Sequence, residues 1–275
     1  MGQEGDRKMK KMLSLVFVIL LTVKVSDCIQ QTQQPTKVSI INALNNVDDY
    51  THELSEKGII GNRTYRIYSF IGIDRRTLQF FEFTKIETEE YTFKLWQYFD
   101  GSYVYFRVED SEKNITRGGK ASIDEIYKNM SIYYKNMSRE EFIEMTVKTK
   151  DVLNNLKKMI ENATITSIEN DGELYKITFT LTRHYEKAPT FLNTNAENSE
   201  AIQGYINTLR RNVTENITGI VWVNNKSLPV KFKVEKSIIE KYRAANVTMH
   251  RHVEYNVTVT YKYQLPEWVY EVEKK

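Results

Sequence analysis

Apolar and polar residues alternate along many short segments of the chain, which is the pattern of β-strands with one buried face. The C-terminal run is the clearest case, since Val253, Tyr255 and Val257 alternate with Glu254 and Asn256. Asp-Gly pairs at positions 100–101 and 171–172 are typical of hairpin turns. The segments that fit a strand are Tyr65–Ile73, Leu78–Ile86, Tyr91–Phe99, Tyr103–Glu109, Thr164–Glu169, Leu174–Leu181, Gly219–Asn224, Leu228–Glu235 and Val247–Tyr263.

Helical spacing of apolar residues appears between these strand-rich stretches. Ser138 and Glu141 form a capping-box pattern at the start of the longest such segment. The predicted helices are Ile40–Leu54, Ile123–Tyr134, Ser138–Ile160 and Ser199–Arg211, and a Gly118-Gly119 pair is expected to end the first sheet segment. The order of elements predicts an α+β fold with an antiparallel sheet.

The early strands differ from the late ones because both of their faces carry large apolar side chains. Tyr91 and Phe93 lie on one face of a strand, and Trp96 and Tyr98 lie on the other. A strand that is apolar on both faces has to be covered on both. We expect the long helix that begins at Ser138 to supply one of these covers.

The N-terminal segment predicts export. Basic residues at positions 7, 8, 10 and 11 precede an apolar run, Met12–Val23, which is shorter than the ~20 residues of a membrane span. We interpret residues 1–28 as a signal peptide, residues 29–37 as a polar spacer and residues 38–270 as a single domain. Two alternatives stay open: an uncleaved anchor over Met9–Val25, and lipid modification of Cys28, although Asp27 departs from a bacterial-type lipobox.

Acceptor sequences for N-glycosylation, Asn-x-Ser/Thr, occur ten times among 21 asparagines. This is roughly three times the number expected by chance at this Ser and Thr content. The positions are Asn62, Asn114, Asn129, Asn136, Asn162, Asn212, Asn216, Asn225, Asn246 and Asn256. Behind an export signal, this excess predicts a glycoprotein; an Asn- and Thr-rich exported protein without glycans is the alternative.

Charge and composition exclude several classes of function. The net charge is +3 for the whole chain, and only +1 without the first 28 residues, so nothing indicates nucleic-acid binding. The single cysteine excludes a disulfide framework and a multi-cysteine metal cluster. No nucleophile, nucleotide or zinc-protease motif is present, and we expect no enzyme activity, no cofactor and no metal.

The segment 219–234, GIVWVNNKSLPVKFKV, resembles a hairpin of the outer-membrane lipoprotein carriers of the LolA-like and LppX-like families. The strand 253–263 followed by Leu265-Pro266 is similar to the closing strand of these proteins, and Ile40–Leu54 to their N-terminal helix. The resemblance implies a strongly curved antiparallel sheet, a half-barrel, whose helices cover the concave face around an apolar cavity. The degenerate lipobox and the many glycosylation sequences depart from bacterial carriers and point to an archaeal-type cell.

These observations lead to the hypothesis of an exported, N-glycosylated surface protein that binds a lipid, such as an isoprenoid or acyl chain. Its N-terminus would supply contact with the membrane, and no protein partner is identified. The aromatic residues that we expect to line the cavity are Tyr91, Phe93, Trp96, Tyr105, Phe106 and Trp222. The alternative is a structural or adhesive envelope glycoprotein whose core is filled by side chains.

Overall fold

The computed structural model describes residues 34–130, 137–187, 210–242 and 247–273, and Thr36–Lys275 form one compact unit. The predicted signal peptide or anchor, Cys28 and most of the spacer lie outside the described residues. So do Asn136, Asn246 and nearly all of the predicted helix Ser199–Arg211.

Eleven antiparallel strands form one sheet in the spatial order β6-β5-β4-β3-β2-β1-β11-β10-β9-β8-β7. The two edges are β6 and β7, so the sheet does not close on itself. The strands are β1 Asp49–Ile60, β2 Arg63–Asp74, β3 Gln79–Thr88, β4 Thr92–Phe99, β5 Tyr103–Asp110, β6 Ile115–Ser122, β7 Thr164–Asp171, β8 Leu174–Lys187, β9 Arg211–Val223, β10 Pro229–Tyr242 and β11 Thr248–Thr260. The nine predicted strands are all present, several of them longer than expected.

The described residues include five helices of seven to twelve residues. They are α1 Lys37–Asn45, α2 Ile123–Met130, α3 Arg139–Lys150, α4 Val152–Asn162 and α5 Glu267–Glu273. The capping box predicted for Ser138 and Glu141 is confirmed at the start of α3, where each side chain accepts the backbone N–H of the other residue.

One face of the sheet, here called the core face, packs against α1, α3 and α4. Several of its large side chains are at most 1% exposed, among them Tyr50, Phe80 and Phe179. Two long-range contacts hold α4 in place, one to the sheet and one from α1 to the residue that follows α4. The Tyr255 hydroxyl donates to Met159 Sδ at 3.7 Å, and Lys37 Nζ donates to the Ala163 carbonyl at 3.1 Å. The space beneath these helices is therefore filled by side chains.

The single helix predicted over Ser138–Ile160 is wrong, because the chain breaks at Asp151 into α3 and α4. Asp151 adopts an extended conformation and caps α4 by accepting the Asn154 N–H at 2.8 Å. It also accepts hydrogen bonds from the Tyr50 hydroxyl at 2.8 Å and from Arg75 Nε at 2.7 Å. These tertiary bonds stabilise the break, and the apolar spacing of the segment contains no sign of them.

The other side of the sheet, the opposite face, carries a second and smaller apolar cluster. Phe81, Tyr98 and Tyr105 are buried there against Val269 and Val272 of α5. Part of the early strands is therefore covered on both faces. The cover on this side is the C-terminal helix, whereas α3, which begins after Ser138, lies on the core face.

Three further expectations are corrected. The predicted helix Ile40–Leu54 ends at Asn45, and residues from Asp49 onward form β1, because pairing with β2 and β11 satisfies their backbone groups. Gly118-Gly119 does not end the sheet but lies within β6. Arg211 begins β9 instead of ending a helix.

Candidate functional site

A groove of about 520 Å³ opens on the core face, where β1, β2 and β3 run beyond the helices. It lies at the far end of β1 from Tyr50, near the β1–β2 and β3–β4 turns. The residues that line it are Glu56, Ile60, Arg63, Thr64, Tyr65, Ile67, Ile86, Thr88, Glu89, Glu90, Tyr91 and Arg251. These residues define what is called the groove below.

An apolar floor follows from the strand register. Ile67 of β2 pairs with Ile86 of β3, and Ile86 pairs with Phe93 of β4, so that the three side chains form one cross-strand row. Alternation places this row on the core face. All three side chains are only half-buried, whereas Phe80 on the same face is fully buried beneath the helices. The floor of the groove is thus apolar surface that the described helices leave uncovered.

The polar wall of the groove is built on Tyr65. Its ring lies directly over Gly58, where a Cβ atom would be 2.2 Å from Tyr65 Cζ, so only glycine permits this approach. Its hydroxyl donates to Glu56 Oε1 at 2.9 Å. Burial and the Glu56 carboxylate raise the pKa of Tyr65 to about 12, while the nearby Arg251 acts in the opposite direction. The phenol is therefore a fixed neutral donor at physiological pH.

Two arginines flank the mouth of the groove, one on each of the two strands that pair with β1. Ile60 of β1 pairs with Arg251 of β11 on one side and with Arg63 of β2 on the other. The opposite rim, the β3–β4 turn, carries Glu89 and Glu90. The groove thus combines an apolar floor with a rim that carries both signs of charge, and Glu89 accepts the Thr64 hydroxyl at 3.4 Å beside Arg63.

The six aromatic residues predicted to line a cavity do not share one face, so no cavity on a single face includes all of them. Tyr91 lines the groove, and Phe93 lies next to it as the cross-strand neighbour of the lining residue Ile86. Phe106 lies on the core face farther along the sheet, over Gly119 of β6. Trp96, Tyr105 and Trp222 lie on the opposite face.

The three aromatic residues on the opposite face have packing partners of their own. Trp96 packs against Phe83, with ring centroids 5.2 Å apart, and beneath the Arg107 guanidinium at 4.9 Å. Tyr105 stacks on Tyr98 at 5.9 Å, and Trp222 Nε1 donates to Asp171 Oδ2 at 2.9 Å. We assign these three residues to packing on the opposite face.

Sequence reasoning missed Tyr65, Ile67, Ile86 and Arg251 as groove residues. Their strands were identified correctly, but strands with apolar residues on both faces do not reveal which face the helices cover. The one signal that could have found Tyr65 is Gly58, a glycine inside a strand that permits close approach of a neighbouring ring.

Every glycosylation sequence within the described part of the chain has an exposed asparagine. Several lie in turns or helices, and three lie on the polar side of β9 and β11, as the alternation around Asn256 predicted. The eight described positions are Asn62, Asn114, Asn129, Asn162, Asn212, Asn216, Asn225 and Asn256. None of these asparagines lines the groove.

Within the described ranges, no three His, Cys, Asp or Glu side chains are grouped so that they could hold a metal ion. The described helices are also too short or too polar for any of them to cross a membrane. The residues that line the groove include no Ser, Cys or His.

No family model matches the chain, and no curated protein matches it. Among solved structures, it is similar to an outer membrane lipoprotein-sorting protein domain from Vibrio parahaemolyticus, with 10% identity, a TM-score of 0.26 and coverage of 86% of this chain and 96% of that one. It is also similar to a DUF1329 family protein from Desulfovibrio piger, with 12% identity, a TM-score of 0.23 and coverage of 88% and 99%.

A third similar structure is a beta-barrel-like protein of the DUF1849 family from Brucella abortus, with 7% identity and a TM-score of 0.20 over 77% of this chain and 98% of that one. A lipoprotein-sorting domain, the kind of protein that the segment 219–234 resembles, is thus among these similar structures. At TM-scores of 0.20 to 0.26 the similarities carry no argument about the fold, ligand or activity of this chain.

Proposed function

We propose that the protein is an exported, N-glycosylated cell-surface protein that binds a lipid or another apolar ligand in the groove. In this proposal the sheet curves into a half-barrel, and α1, α3 and α4 fill one end of its concave face. The ligand occupies the other end, over Ile67, Ile86 and Phe93. In this proposal the protein acts by binding and carries out no catalysis.

The observation that carries this proposal is the half-buried apolar floor. Folded proteins bury most large aliphatic side chains, and an uncovered apolar concavity commonly marks a binding site. A volume of about 520 Å³ falls within the range of about 300–1,000 Å³ that is typical of small-molecule sites. The proposed ligand site differs from the cavity beneath the helices that the sequence resemblance implies, because side chains fill that space and the groove lies beyond the helices.

Native mass spectrometry of the full chain, extracted from membranes, tests the proposal directly. We expect a co-purifying lipid that is lost in Ile67→Asp, since a carboxylate in the floor disfavours an apolar ligand. Ile220→Asp is the matched control, because Ile220 is a half-buried isoleucine on the opposite face. A wild-type protein that carries no lipid, and takes none up from vesicles, would refute the proposal.

The exposure of all eight described acceptor asparagines supports the glycoprotein part of the proposal. None of the eight lines the groove, and the one nearest to it in sequence is Asn62, in the β1–β2 turn between the lining residues Ile60 and Arg63. Intact-mass measurement before and after enzymatic removal of N-glycans, on protein from the native host, is the test. A mass equal to that of the bare polypeptide would contradict it.

A structural or adhesive envelope glycoprotein is the second candidate. The filled space beneath the helices favours it, since helix side chains already pack against much of the core face. Analytical ultracentrifugation separates the two candidates. A monomer over a wide concentration range supports the binding protein, and concentration-dependent assembly supports the structural one.

A further inference from the structure

We infer that the ligand of the groove is an amphiphile with one acidic group, a carboxylate or a phosphate, which Arg251 and Arg63 bind at the groove mouth. This inference rests on the proposed function, because it names the polar end of the ligand whose apolar part covers the floor. It assigns specificity to the row Arg251–Ile60–Arg63.

Arg251 has unused hydrogen-bonding capacity. Its side chain interacts with the Tyr65 hydroxyl, but its Nε atom is buried and has no hydrogen-bond partner among the described residues. The nearest carboxylate atom recorded for its guanidinium is Glu240 Oε1, 3.9 Å from Nη1, which is beyond hydrogen-bond distance. Glu240 is already paired with Arg211 at 3.3 Å. Because a buried donor without an acceptor is unfavourable, this guanidinium is suited to an oxyanion from outside the chain.

Arg63 reinforces the same side of the mouth. It is exposed, lies across Ile60 from Arg251, and forms no ion pair within the described part of the chain. A guanidinium on each side of one isoleucine matches an acid whose alkyl chain begins over that isoleucine. The planar donors of arginine favour carboxylate and phosphate oxygens over a neutral hydroxyl group.

The carboxylates of the groove restrict where the acid binds. Glu56 accepts the Tyr65 hydroxyl, so it is held in the wall. Glu89 and Glu90 lie on the β3–β4 turn, where Glu89 Oε1 accepts the Thr64 hydroxyl at 3.4 Å, close to Arg63. Arg251 on β11 is separated from that turn by β1 and β2, so a negative group is attracted to the Arg251 end of the mouth and repelled from the β3–β4 end. A second negative charge on the ligand would meet this acidic rim.

The test compares three ligands of matched chain length on the full, delipidated protein: palmitic acid, palmitoyl lysophosphatidic acid and hexadecanol. We expect the wild type to bind at least one of the two acids about tenfold more tightly than the alcohol. Arg251→Gln should remove this preference and leave hexadecanol binding unchanged. Arg66→Gln is the matched control, since Arg66 is an exposed arginine of β2 on the opposite face.

Each outcome decides the inference. If Arg251→Gln loses the preference over hexadecanol for palmitate alone, the site binds a carboxylate. If it loses the preference for the lysophosphatidate alone, the site binds a phosphate, and loss of both preferences assigns a general acid site. Equal binding of the acids and the alcohol by the wild type overturns the inference while the proposed lipid groove stands. If no ligand binds, the proposed function itself fails. Should Arg251→Gln not fold, the wild-type preference and its weakening by salt still decide the question.

Discussion

The buried His52 should make the stability of the protein depend strongly on pH. His52 is 2% exposed on the core face and stacks on Tyr50, with ring centroids 5.6 Å apart. Its Nδ1 atom has no hydrogen-bond partner among the described residues. Burial lowers the pKa of His52 from 6.5 to about 4, and the Asp151 carboxylate only partly opposes this. The ring is therefore neutral in the folded protein at physiological pH.

The direction of the effect follows from the two pKa values. The unfolded chain binds a proton on His52 as the pH falls through about 6.5, whereas the folded protein does so only near pH 4. The contribution of neutral, buried His52 to stability is therefore fully present above pH 6.5 and is lost as the pH falls from 6.5 towards 4. One pKa unit corresponds to about 1.4 kcal/mol, so the loss between pH 7.5 and 4.5 is about 2–3 kcal/mol.

Urea denaturation from pH 7.5 to 4.5 measures this effect when wild type is compared with His52→Leu. As the pH falls over this range, the wild type should lose about 2–3 kcal/mol more unfolding free energy than His52→Leu does. Val259→Ala is the control, because Val259 is the cross-strand neighbour of His52 and carries no titratable group, so its cost should not change with pH. A wild-type curve parallel to that of His52→Leu at all pH values would refute the reasoning.

Two further predictions concern stability. Asp151→Ala should lower the unfolding free energy by about 2–4 kcal/mol, because it leaves the half-buried Arg75 guanidinium without its carboxylate and removes the cap of α4. Urea denaturation measures this change, and a loss below about 1 kcal/mol would contradict the role of the network. Gly219→Ala should cost about 1–3 kcal/mol, since its Cβ would be 2.1 Å from the Phe179 ring. Gly118→Ala, whose nearest contact would be a backbone oxygen at 3.3 Å, should cost less in the same assay.

The local pattern of the chain was sufficient for elements whose stabilising contacts lie close in sequence. The capping box at Ser138 and Glu141 formed as predicted, because its donors and acceptors are three residues apart. The turn at positions 171–172 formed with a positive φ at Gly172. The polar face around Asn256 is exposed because alternation of apolar and polar residues determines which side of a strand remains in water.

The candidate site was only partly predictable. Tyr91 and Phe93 were identified in advance, and both lie at the groove. Trp96 lies on the other side of the same strand, where it packs against Phe83. Aromatic content cannot distinguish these positions, since both faces of β4 carry large apolar side chains.

The sequence by itself thus determined the antiparallel strands, most of their turns, the helix cap and the exposure of the described glycosylation positions. Only the tertiary structure decided that residues from Asp49 onward form a strand, that the helical segment breaks at Asp151, and which face the helices cover. The groove depends on pairing of β11 with β1, which brings Arg251 beside Ile60 although the two are far apart in sequence. Contacts of this kind arise from the packing of distant segments, and no local pattern encodes them.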